Sequence, residues 1–134
     1  MPDIQYLSPA TIESSLQQIS DRFERVQTFA DIARFNTLYM IMRAGSGHIG
    51  SSFSAMDIVS WLYAEEMTRE PSEMNLPDWY FSSKGHDAPG QYAVLLGMAL
   101  LPEEKIHQLR RIGGLPGHPD VGTDEMITNT GSLG

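Results

Sequence analysis

At 134 residues the chain has the length of one domain, and its 41% apolar content is enough to build a core. Cysteine is absent, which excludes a disulfide framework and a thiolate metal site and fits a reducing cytoplasm, the expected compartment. A net charge of −8, with nine scattered Lys and Arg, argues against nucleic-acid binding, no apolar run approaches the ~20 residues that cross a bilayer, and the N-terminus has neither the basic nor the apolar region of a secretory signal.

The first element is a long helix. Ser8 suits its N-cap and Pro9 its first turn. Ile12, Leu16, Ile19, Phe23, Val26, Ala30 and Ala33 recur at helical spacing, and the pattern runs on through Leu38, Ile41 and Met42 to a stop at Gly45. About 35 residues is long for one globular helix, so a break is expected near Gln27–Thr28 or later. After a glycine loop, "SAMDIVSWLYAEEM" starts a second helix at Ser54 and Asp57, an S-x-x-D cap. Its apolar face is Ile58, Val59, Leu62, Tyr63 and Met67. Residues 68–78 carry two prolines and no periodicity, so they read as a loop. "WYFSS" at 79–83 reads as a short buried strand, with Trp79, Tyr80 and Phe81 in the core. "DAPGQYAVLLGMALL" reads as a helix in which Gly90 and Gly97 weaken the element or allow close packing. A last helix starts at Pro102, Glu103 and Glu104 and ends with Arg110 and Arg111, charges that match the helix dipole. The remainder reads as loop with at most one short strand, and there is no internal repeat.

Three of the four histidines follow a glycine in a loop: His48 in "RAGSGHIGSS", His86 in "SSKGHDAP" and His118 in "GLPGHPD". Imidazole can donate, accept and exchange a proton near neutral pH. Glycine beside it lets backbone and ligand approach closely. Two readings follow from the residues alone: the three rings converge on one polar ligand, or each is a loop histidine satisfied locally. Zinc is disfavoured, because separations of 38 and 32 residues fit no compact ligand motif. Lys84 either neutralises an anionic ligand or faces solvent. The methionines read as core filler.

"SGHIGSSFSAMDIVSWLYAEEM", "DWYFSSKGHDAPGQYAVLLGMALL", "GLPGHPD" and "TGSLG" come in an order and at a spacing that resemble the N-terminal part of transketolases, in particular the N-terminal half of split, two-gene transketolases. The resemblance runs from about Phe35 to Gly134. It implies an α/β fold: the N-terminal portion of a thiamin-diphosphate-binding fold, helix-rich with few short parallel strands. Residues 1–34 then form an N-terminal helical arm, and 35–134 the first part of the diphosphate-binding domain, together a single incomplete domain.

The resemblance also implies roles. His48 matches the histidine at the thiazolium end of thiamin diphosphate that also contacts the sugar. His86 matches the one near the diphosphate. His118 matches the one that binds the sugar near the reacting carbons. Gly131 and Leu133 match backbone contacts to the cofactor. His48 and His118 are thus the implied catalytic and substrate-binding residues, with His48, His86, Gly131 and Leu133 binding the cofactor and no metal ligand in this chain. Transketolases carry a "GDG"-type motif that holds Mg2+ and a glutamate that activates the aminopyrimidine, and neither lies in this sequence. The implied function is that of a subunit or segment of a thiamin-diphosphate-dependent transketolase, transferring a two-carbon ketol unit between sugar phosphates. Such a segment is active only with a complementary chain that supplies the metal motif, the pyrimidine domain and the glutamate. The alternatives are a non-catalytic assembly module descended from a transketolase, or a truncated inactive chain.

Overall fold

A computed structural model describes residues 3–124 and 126. Among the described residues four α-helices, α1 (Pro9–Leu16), α2 (Arg22–Ala44), α3 (Ile49–Trp61) and α4 (Ala88–Gly97), form the body. A π-helical turn, Leu62–Glu66, prolongs α3. Short 3-10 turns lie at Gly85–Asp87 and Glu103–His107.

Ser8 caps α1 as its sequence suggests, its Oγ accepting from Thr11 N with Pro9 in the first turn. The break in the long helix comes earlier than expected, between Leu16 and Arg22. Its cause is a second N-cap: Asp21 accepts from Glu24 N and starts α2 afresh. Arg25 braces the break by donating to Ile19 O. Gly45 closes α2 in the left-handed region at φ 72, as its sequence suggests.

α4 is the centre of the molecule. Every residue from Ala88 to Leu96 is buried, which suits "APGQYAVLLG", apolar nearly all round. Val94, Leu95 and Leu96 alone contribute roughly 1.5–3 kcal/mol each by burial. α2 and α3 pack on α4 and on each other. Glycines set two of the seams. A Cβ on Gly97 would lie 2.3 Å from Phe29 Cε2, and one on Gly90 would lie 3.0 Å from Ser52 Cβ. Arg34 ties α2 to α3 through Asp57 and the Phe53 carbonyl, with Asp31 on its own helix also paired to it. The segment before α1 is held by Tyr6, whose hydroxyl donates to Glu103 Oε1 at 2.6 Å, and by Asn36. Asn36, fully buried, accepts from Leu7 N at 2.8 Å and donates to Leu7 O at 2.9 Å.

Several expectations are corrected. α3 begins at Ile49, capped by His48, so Ser54 and Asp57 lie inside the helix. Ser54 donates back to Ser51 O, and Asp57 serves Arg34. Val59 and Tyr63 are buried, but Ile58 is 66% exposed, as is Phe23 at 61%. Phe23 instead stacks on Trp61, 5.2 Å between centroids, under the Arg22 guanidinium. The last helix is only the 3-10 turn Glu103–His107, because Arg110 takes φ 58 and turns the chain back to Leu115.

The helix-rich half of the expected fold is present. No strand occurs among the described residues, where the isolated pairing is a parallel bridge between Leu109 and Leu115. The segment 79–83 is not in a helix and has no neighbouring strand among the described residues, so it forms no ladder. Within it Ser82 is buried and Tyr80 packs on Tyr63, while Trp79 and Phe81 are exposed rather than in the core. No helix among the described residues is long and apolar enough to cross a membrane.

Candidate functional site

His48 owes its position to the turn between α2 and α3. Gly45 reverses the chain, and Gly47 lets it pass close to α2, where a Cβ would lie 2.6 Å from Ile41 Cγ1. His48 then takes the N-cap of α3 without making a side-chain cap bond, and the residue is exposed. The first-turn N–H groups of α3 therefore get no partner from the cap side chain. Gly50, in that turn, leaves open space where a side chain would stand.

His86 sits in the 3-10 turn Gly85–Asp87, which leads straight into α4. Its ring lies 4.9 Å from that of His48, centroid to centroid, tilted by 56°. Residues 38 positions apart therefore form one imidazole pair, because Gly90 lets the start of α4 seat against Ser52 of α3. Lys84 borders the pair. Its ammonium donates to Ser51 O at 3.1 Å and lies 3.9 Å from Asp87 Oδ2. It is thus half-committed to the protein rather than only facing solvent.

Directly after His86 comes a buried polar group that no motif in the sequence singles out. Asp87 is 4% exposed. Its Oδ2 accepts from Ser82 Oγ at 2.8 Å, and its carbonyl lies 3.5 Å from Ser52 Oγ. Burial pushes its carboxyl above the ordinary 3.8, while the Ser82 bond and the charges of Lys84 and His86 oppose the rise. Burial, with Asp87 adding, pushes the Tyr80 phenol up to about 12. Oδ1 of Asp87, Oγ of Ser51 and both amide atoms of Gln91 are buried with no hydrogen-bond partner among the described residues. The one signal in the sequence is an ionisable residue directly after "KGH", inside a segment otherwise fit for a core.

His118 is half-buried in the loop after Leu115. That loop is pinned to the same central helix, since Tyr92 Oη donates to Pro116 O at 2.8 Å. Burial, reinforced by Asp120, raises the Tyr92 phenol and keeps it a donor. No ring contact joins His118 to the pair among the described residues. Gly131 and Leu133 lie outside the described residues. The fourth histidine, His107, lies in a separate cluster, with Nδ1 2.7 Å from Tyr39 Oη and its ring against Tyr6 and Tyr39. A cavity of about 600 Å3, lined by Pro9, Leu16, Arg25, Gly97 and Met98 among others, is at the opposite end of α4 from His86.

Residues 26–134 match the family described as "Transketolase, thiamine diphosphate binding domain". The chain belongs to the transketolase family. It is similar to the transketolase of Pongo abelii, 35% identical over 117 residues, which covers 83% of this chain and 19% of that one. It is also similar to the 6-deoxy-6-sulfo-D-fructose transketolase subunit SqwG of Clostridium sp. (strain MSTE9), 37% identical over 113 residues, covering 81% of this chain and 41% of SqwG. A third relative is an apulose-4-phosphate transketolase subunit of Actinobacillus succinogenes, 35% identical over 92 residues, covering 66% of this chain and 33% of that one. The chain thus spans between a fifth and two-fifths of the length of these relatives.

The residues present fit a diphosphate-bearing cofactor. An imidazole pair, an ammonium and the start of a thirteen-residue helix whose cap side chain makes no bond are together. Each is a means of holding an anion. No cluster of three His, Asp or Glu that could hold a metal ion occurs among the described residues. The donor set suits phosphate oxygens and hydroxyls.

Proposed function

We propose that this chain is the diphosphate-binding part of a transketolase-type transferase that moves a two-carbon ketol unit between sugar phosphates. The observation that carries this reading is the His48–His86 pair at the starts of two packed helices, beside Lys84. In this reading His86 and Lys84 hold the diphosphate. His48 reaches the reactive ring and the sugar, and His118, on the loop fixed by Tyr92, binds the sugar. Gly131 and Leu133 supply backbone contacts to the cofactor.

Thiamin diphosphate, when bound, supplies the electron sink for the ketol carbon. The chain's own part is to orient and to exchange protons. Imidazoles at carbinol oxygens can take and return protons and donate to developing alkoxides. Mg2+ ligands, the pyrimidine domain and the activating glutamate come from sequence beyond these 134 residues, on a complementary chain. Relatives whose names call them subunits support the existence of a partner chain. Residues 1–34 serve as the arm that leads into the diphosphate-binding domain, the parallel sheet is completed by the remaining segments, and the assembly is a cytoplasmic hetero-oligomer of carbohydrate metabolism.

The test is co-expression with the complementary transketolase segments, followed by an assay for ketol transfer between sugar phosphates with and without thiamin diphosphate and Mg2+. A stable complex with thiamin-dependent turnover, lost in His48→Ala, is expected. A complex whose turnover ignores His48→Ala and His86→Ala refutes the reading and favours an assembly module.

A further inference from the structure

A buried carboxylate destabilises a fold unless its hydrogen bonds are made. Asp87 leaves Oδ1 without a partner among the described residues, although a smaller neutral residue would serve a plain turn into α4. Its other contacts show what it does. Oδ2 accepts from Ser82 Oγ at 2.8 Å, which fixes the segment entering the turn. The same oxygen faces the Lys84 ammonium at 3.9 Å, and that ammonium donates to Ser51 O at 3.1 Å, in the first turn of α3 three residues past His48. The Asp87 backbone N–H donates to Lys84 O at 3.0 Å, closing the turn that carries His86. The chain of contacts therefore runs from Ser82 through Asp87 and Lys84 to Ser51, and it spans the two segments that present the rings.

We propose that Asp87, acting through Ser82 and Lys84, is a positioning residue that holds the His86 ring against the His48 ring. It rests on the proposed function only for what the ring pair is used for. The charged and titratable groups that face it are Lys84 and His86 from its own turn, and Tyr80 from the segment before it. The spacing of the two imidazoles follows from the backbone that carries each, the turn for His86 and the start of α3 for His48. Loss of the Asp87 anchor frees the turn to rotate His86 away while α4 stays packed through Tyr92, Val94, Leu95 and Leu96.

The experiment is NMR of the full 134-residue chain with labelled histidine and tyrosine rings. Wild type gives ring-to-ring cross-relaxation between His48 and His86, and between His107 and Tyr39, whose contact is elsewhere and serves as the fold control. In Asp87→Ala the His48–His86 signal is lost while the His107–Tyr39 signal remains. In Asp87→Asn, whose amide oxygen still accepts from Ser82, the signal is kept. Persistence of the His48–His86 signal in Asp87→Ala, or its absence in wild type, overturns the proposal. Where Asp87→Ala also loses the His107–Tyr39 signal, Lys84→Met decides instead. That partly exposed side chain can be replaced without opening the core, and loss of the pair signal supports the tether while its persistence overturns it. The measurement needs neither cofactor nor partner chain, so missing transfer activity leaves it standing, and its own failure leaves the transferase reading untouched.

Discussion

Gly97→Ala tests whether α4 is the buried hub on which the site is built. Gly97 ends α4 against Phe29 of α2. An added Cβ would lie 2.3 Å from Phe29 Cε2 and 2.9 Å from Cζ. Phe29 is 2% exposed, so its ring has no solvent to move into. Overpacking of this kind costs about 1–3 kcal/mol. Against it stands the helix preference for Ala over Gly, ~1 kcal/mol in a helix interior and less in a last turn. The net is a loss of roughly 1–2 kcal/mol. For a chain of this size that lowers the melting temperature by about 3–10 °C. Far-UV circular dichroism on heating, with urea titration as a second measure, reads the effect. Gly50→Ala is the control, because nothing lies within 4 Å of its added Cβ. It should hold or gain up to about 0.5 kcal/mol. A Gly97→Ala protein that melts at or above wild type, or a Gly50→Ala protein that falls as far, contradicts the packing argument.

Asn36→Ala strips both hydrogen bonds from the Leu7 peptide and leaves its N–H and C=O without their partner, a loss of about 2–4 kcal/mol with faster hydrogen exchange across residues 3–16; exchange unchanged in that arm speaks against the clamp. Asp87→Asn should show a pH-dependent gain in stability. Burial holds the Asp87 carboxyl above 3.8 in the folded chain, so the contribution of the protonated acid is full below that value and is lost as pH rises through the raised one. Asn avoids that loss, so the melting temperature of Asp87→Asn minus that of wild type should grow as pH rises above 3.8, and a flat difference refutes the raised carboxyl. In the proposed complex with the complementary segments, Tyr92→Phe removes the donor that fixes Pro116 and the loop of His118. If that loop binds the sugar, KM rises by a few-fold to about tenfold with little change in cofactor affinity; an effect on the cofactor alone would show that the loop serves another purpose.

The sequence was most legible where local chemistry decides the backbone. Ser8, Pro9 and Gly45 take the positions that capping rules assign them, and Gly90 and Gly97 allow the close packing that they suggested. Legibility failed where two local signals competed. Asp21 is as good a cap as Ser8, and it split the helix ahead of the expected break because length alone carries no position. His48 took the N-cap of α3 although Ser54 and Asp57 spell a capping box, since the glycine turn before it fixes where the helix starts. The apolar residues Phe23, Ile58, Trp79 and Phe81 carry no mark that distinguishes a core face from an exposed one. Of the site, the histidine loops were legible as loops from their glycines. That His48 and His86 meet was not, because pairing across 38 residues depends on the α3–α4 seam. Asp87 was hidden because charge in an apolar helix start reads as an exposed end rather than as a buried anchor.

Calorimetric titration of thiamin diphosphate, with Mg2+ present, into the proposed complex of this chain and its complementary segments tests the proposed diphosphate site most directly. Saturable binding is expected in wild type, weakened by about 10- to 100-fold in His86→Ala, the loss of one hydrogen bond to a charged group. Equal affinity in wild type and His86→Ala would contradict the account.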